Sequence, residues 1–154
     1  MIEINNLTPV LIDKSLFKKI ARKILKEEKK NDLELSIALV AKNKIRELNR
    51  KYRGKDRPTD VLAFNQLGFI SKKKKKKKNL GEIVICPEEI KKNALRFNAS
   101  FKEELMNCLI HGVLHLLGYD HENFLKETKL MEKKQRYYSS AAYSRRRRNS
   151  SRLK

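Results

Sequence analysis

SFKEELMNCLIHGVLHLLGYDH, residues 100–121, is the stretch from which the rest of this chain is read. Ser100 with Glu103 three residues on forms a capping box, in which side-chain oxygens satisfy the first free backbone N–H groups of a helix. Gly118 is placed to end that helix, because only glycine takes the left-handed C-terminal conformation at no steric cost. The spacing therefore predicts a helix carrying His111 and His115, with His121 just beyond its end. These three are all the histidines the chain has.

Upstream, Pro87 suits the first turn of a preceding helix that carries Ile90, Ala94 and Leu95. EIVIC, 82–86, and VLAFN, 61–65, read as paired strands, with the lysine run Lys72–Lys78 in the loop between them, placed at 72–79. Ile45, Leu48 and Tyr52 recur at helical spacing before RGKDRPTD, where Gly54 and Pro58 mark a loop. LELSIALVA, 33–41, alternates Leu33, Leu35, Ile37 and Leu39 with Ala38 and Val40 also apolar, which predicts a strand buried on both faces. Residues 13–30 are an amphipathic helix with Leu16, Phe17, Ile20, Ala21, Ile24 and Leu25 on one side. Downstream, a final helix over 122–138 leads into a Ser/Arg-rich tail, 139–154, expected to be disordered. The expected organisation is one domain over 1–138 followed by that tail.

At 154 residues the chain has the size of a single domain with a real core. No apolar run approaches the roughly 18 residues a membrane span needs, and MIEINNLTPVLIDKS lacks the marks of a secretory signal, so the expectation is a cytoplasmic protein without a membrane partner. Cys86 and Cys108 read as small buried residues rather than a disulfide, although Cys108 lies three residues before His111. The net charge of +20 is unevenly placed: seven positive charges form Lys72–Lys78 and nine follow Glu132. Removing these 16 leaves +4 for the rest. The two basic tracts read either as solvated segments or as tethers for a polyanion such as RNA.

Two histidines four apart on a helix share a face one turn from each other, which is the geometry of two ligands on one metal. With His121 they make three imidazoles and leave a fourth position for water, the pattern of a catalytic rather than a structural zinc. Zinc suits an all-imidazole set best, although other divalent metals accept imidazole. The spacing H-x-x-x-H-x-x-G-x-x-H is also that of the metzincin proteases, but those carry a glutamate as general base after the first histidine, and here Gly112 stands there. A protease would lack its base, while a metal-bound water with pKa near about 7 could still attack an ester.

HGVLHLLGYDH, 111–121, resembles the signature of the YbeY family, bacterial endoribonucleases with one metal, thought to be zinc, that act in ribosomal RNA maturation and ribosome quality control. LNRKYRGKDRPTDVLAF, 48–64, and LGEIVIC, 80–86, resemble two further blocks of the family in the same order. The resemblance implies an α+β fold: a mixed sheet of about four strands, about five helices around it, and the metal site in a cleft. It implies His111, His115 and His121 as ligands, with His111 and His115 catalytic through the metal, and Arg53 as a residue tied to activity. A guanidinium there could hold a scissile phosphate bidentately. Asp120, Glu122 and Glu82 are the acidic candidates for proton transfer, with Asp120 equally suited to orienting a histidine ring. Ribosomal RNA and the small ribosomal subunit are the implied partners. Ala63, Asn65 and Glu82 depart from the serine, proline and aspartate usual in the family. A non-catalytic RNA-binding assembly factor with a structural metal is the alternative, and a metzincin-like protease a weaker one.

Overall fold

A computed structural model describes residues 1–65, 79–119 and 125–150 of the chain, the backbone alone at 125–127 and 143–150. In chain order the elements are β1 (Ile2–Asn6), α1 (Lys14–Glu27), β2 (Glu34–Leu39), α2 (Lys42–Arg53), β3 (Val61–Asn65), β4 (Asn79–Ile85), α3 (Pro87–Arg96), α4 (Phe101–Leu116) and α5 (Leu125–Ser150). The sheet order is β1-β2-β4-β3. β1 and β4 run parallel to β2, and β3 runs antiparallel to β4, so the sheet is mixed and the fold is the expected α+β class.

Alternation in the strands sorts the core. Leu35, Ile37 and Leu39 of β2 and Ile83 and Ile85 of β4 point to a large cluster closed by α1, α4 and α5. Val84, Leu62 and Val40 point the other way, to a small cluster that Ile45 and Leu48 of α2 cover. Cys86 and Cys108 are both buried and unbridged, as expected. β2 is less symmetric than expected, since Ala38 is only half-buried. No helix among the described residues is long and apolar enough to cross a membrane.

Two element boundaries differ from the sequence reading. β1 was not anticipated; its short Ile2/Ile4 alternation becomes a strand only because β2 supplies its hydrogen bonds, with Ile4 opposite Ile37. The last helix does not stop at 138 but runs to Ser150, so residues 139–150 are helical rather than disordered. Alanine and arginine are strong helix formers, and Ser139 and Ala142 tie the extension down. Ser139 Oγ donates to Asn107 Oδ1 at 3.0 Å, and Ala142 packs on the main core. Asn79, placed in the loop from sequence, belongs to β4. The lysine run Lys72–Lys78 lies outside the described residues.

Glu28, at the end of α1, joins three helices. Its Oε1 accepts from Lys134 Nζ at 2.6 Å and Tyr138 Oη at 2.7 Å, and its Oε2 accepts from Tyr119 Oη at 2.7 Å. Burial pushes this carboxyl up, but the three hydrogen bonds and the Lys134 charge outweigh it and hold the pKa below the usual carboxylate range. The Glu28 side chain is 11% exposed, so the pair is only lightly screened. A depressed carboxylate stabilises fully above its unfolded pKa of about 4.3, and that stability is lost as pH falls through the lower folded value. Lys134, raised chiefly by its hydrogen bond to Glu28, contributes below its ordinary value and loses that contribution only in strong alkali. Glu28→Gln is therefore expected to cost about 2–3 kcal/mol at pH 7 and far less near pH 3. Urea unfolding at the two pH values measures this; a wild-type midpoint at pH 7 would refute it.

Candidate functional site

α4 begins as the sequence requires, with Ser100 Oγ accepting from the Glu103 backbone N–H at 3.1 Å. Most of its surface is consumed by packing, from Leu105 to Leu116, whereas His111 and His115 stay half-buried. Their ring centroids are 4.5 Å apart with the planes at 77°. Gly112, between them, lies against the sheet: a Cβ there would stand 3.0 Å from Ile83 Cγ2. A side chain at this place would press on a core isoleucine, which would have to give by a few tenths of an ångström, and the general base of a metzincin is absent.

The helix ends where expected. Gly118 takes φ +98°, its N–H donates to the His115 carbonyl at 3.0 Å, and the Tyr119 N–H donates to the Leu114 carbonyl at 3.1 Å. This pair of bonds is a Schellman turn, which reverses the chain directly ahead of Asp120. Tyr119 is then moored by its hydroxyl to Glu28. Asp120, His121 and Glu122 lie outside the described residues. Among the described residues no three metal-ligating side chains are grouped.

His111 opens on a cavity of about 590 Å³ between β3, α4 and α5, shared with Asp60, Asn107, Gln135 and Ser139. The Cys108 thiol donates to Asp60 Oδ2 at 3.5 Å. Burial, joined by the charge of Asp60, pushes this thiol far above its ordinary value. Asp60 also accepts from the Val61 N–H at 2.8 Å and from Asn93 Nδ2 at 3.5 Å. The sequence reading left Asp60 within the loop RGKDRPTD and gave it no role. Its only signal was an aspartate directly before a strand, and the partner Cys108 is 48 residues away.

Arg53 and Glu82 lie elsewhere. They line a groove of about 810 Å³ on the sheet face that α2 covers, together with Tyr52, Phe64 and Asn65. The described residues thus form two neighbourhoods, one around the histidines and one around Arg53. Asn65 joins them at the β3 edge: it lines the groove, and its Nδ2 donates to the Leu116 carbonyl at 3.2 Å, one residue past His115.

The sequence pattern of the family described as Endoribonuclease YbeY matches residues 3–142. A protein of that name from Sulfurihydrogenibium sp. is 42% identical over 123 residues, covering 78% of this chain and 77% of the relative. One from Persephonella marina is 43% identical over 122 residues, with the same coverage of 78% and 77%. The solution structure of a Thermotoga maritima protein, 34% identical, superposes with a TM-score of 0.65 over 97% of this chain and 93% of that one. Since the match takes in all four strands, the histidine helix and the start of its extension, the chain belongs to the YbeY family.

Proposed function

We propose that the chain is a metal-dependent endoribonuclease of single-stranded RNA, working in ribosomal RNA maturation and ribosome quality control with the small ribosomal subunit as partner, in the cytoplasm. The observation that carries this is the half-buried His111/His115 pair, 4.5 Å between ring centroids, on a helix that otherwise gives its surface to the core. These imidazoles fit a zinc ion, with His121 as third ligand. When bound, such an ion supplies Lewis acidity toward a phosphodiester oxygen. Arg53 is exposed, and no acidic residue pairs with it among the described residues, so its guanidinium is available to hold a phosphate of a strand that runs from its groove past Asn65 to the histidines. Asp120 and Glu122, beside the third ligand, remain the acids nearest to the proton transfers in sequence.

Arg53→Ala tests this reading. Loss of a phosphate-holding guanidinium is expected to lower kcat on a single-stranded RNA by about 10²–10³-fold, with metal content and thermal unfolding unchanged. An assembly factor whose metal only supports the fold would show no metal-dependent cleavage in the wild type, and that result would replace the enzyme reading with the binding one.

A further inference from the structure

The groove beside Arg53 has a composition that holding one phosphate does not require. Tyr52, at the end of α2, is 57% exposed although it is a large aromatic residue, and its ring meets Phe64 of β3 edge to face at 5.1 Å. Lys51 Nζ stands 5.2 Å from the Tyr52 ring centroid. α2 and the loop after it are strongly basic, and apart from Arg50, whose charge acts on Asp56, the cations divide into two groups. Lys42, Lys44 and Arg46 are matched by Glu89, Glu47 and Asp56. Lys51, Arg53, Lys55 and Arg57 are exposed and have no ion pair among the described residues. The mild overall charge of the folded part thus conceals a local concentration of positive charge around α2, in which Arg53 lines the groove and Lys51 approaches the Tyr52 ring. The floor is apolar, with Val40 and Val84, except for the half-buried carboxylate of Glu82.

That arrangement suits a single strand and orients it. Phosphates are attracted to the α2 cations and repelled by Glu82, so the bases face inward. Aromatic platforms bind any base through its π-face, and flanking cations track the backbone. A duplex keeps its bases stacked on each other and has none to offer. Because Asn65 joins the groove to the end of α4 beside His115, a strand lying here reaches the histidines around the β3 edge.

We propose that Tyr52, backed by Phe64 and flanked by Lys51 and Arg53, is a base-stacking platform that seats one nucleotide of a single-stranded RNA on its way past the β3 edge to the cleavage site. This rests on the endoribonuclease reading. The platform contributes binding rather than chemistry, so it acts on KM more than on kcat.

The test uses the full chain with a single-stranded uridine-rich oligomer and a duplex of equal length. Tyr52→Ala is expected to weaken binding of the single strand about 10-fold, raise KM in proportion and leave kcat within about twofold. The dependence of log Kd on log salt should keep its slope, since no phosphate contact is lost. Lys51→Ala with Lys55→Ala should lower that slope by about 1.4. Tyr52→Trp, in a chain with no other tryptophan, should keep wild-type affinity and show indole quenching on addition of the single strand but not of the duplex. A folded Tyr52→Ala that binds and cleaves like the wild type, or a Tyr52→Trp that binds without quenching, would overturn the platform alone. A wild type that neither binds nor cleaves RNA would overturn the enzyme reading, and the platform with it.

Discussion

On the proposed metal-dependent reading, His115→Ala is expected to lower RNA cleavage by at least about 10³-fold and to yield a folded protein that retains no metal. His115 sits in the last turn of α4, half-buried and facing His111, while the neighbours Leu114 and Leu116 hold the helix in the core. Losing the imidazole removes a donor and leaves the packing in place. The unfolding midpoint in the presence of a chelator should therefore match the chelated wild type. His111→Ala should resemble it, and the double variant should be no worse than either single one, because ligands of one ion act as a unit. Elemental analysis beside a gel assay of cleavage reads both effects. If metal stays near one per chain and cleavage persists, His115 is not a ligand.

The second large effect concerns folding. Gly81→Ala is expected to cost more than about 4 kcal/mol, which would leave little of the roughly 5–15 kcal/mol that holds an ordinary domain together. Gly81 has φ +145°, a region closed to side chains, and a Cβ built there lies 2.2 Å from the Phe64 carbonyl oxygen and 3.1 Å from Leu116 Cδ2. The obstacle is backbone, so no rotamer change relieves it. Gly81 also stands opposite Asn65 in the β3–β4 ladder and beside a bulge, where Glu34 and Leu35 face Asn79 and Gly81 and leave Leu80 between them. Relief would require β3 to separate from β4, which would also withdraw Asn65 from Leu116. Urea unfolding, or the yield of soluble folded protein, measures the effect. A midpoint close to the wild type would show that the ladder can give way at low cost.

The local parts of the site were legible because their causes are local. Ser100, Glu103 and Gly118 act within a few residues of their own positions, so the helix, its ends and the adjacency of His111 and His115 could be read directly. What was not legible depends on pairing across the sheet. Nothing near Arg53 indicates that β3 lies on the edge, and so nothing says that the groove of Arg53 and Glu82 opens on a different side from the cavity of His111. β1 was missed for the same reason, since two isoleucines in five residues make a strand only beside β2. The extended α5 was missed because the arginines after 144 outweighed the anchoring by Ser139 and Ala142, which only α4 and the core reveal.

Glu28 carries a consequence for how the molecule is made. Its partners Lys134 and Tyr138 are 106 and 110 residues further along the chain, and Tyr119 is 91. During synthesis at about 5–20 residues per second, the carboxylate emerges early and waits several seconds for the groups that satisfy it. For the first part of that interval β2 also has an uncovered edge, because β4, its neighbour in the finished sheet, has yet to be translated. The nascent N-terminal segment, β1-α1-β2, is thus a half-sheet with an unmatched acid and an open flank, and a ribosome stalled before β4 would display both to holdase chaperones and proteases, whereas one stalled between β4 and α5 would display the acid alone.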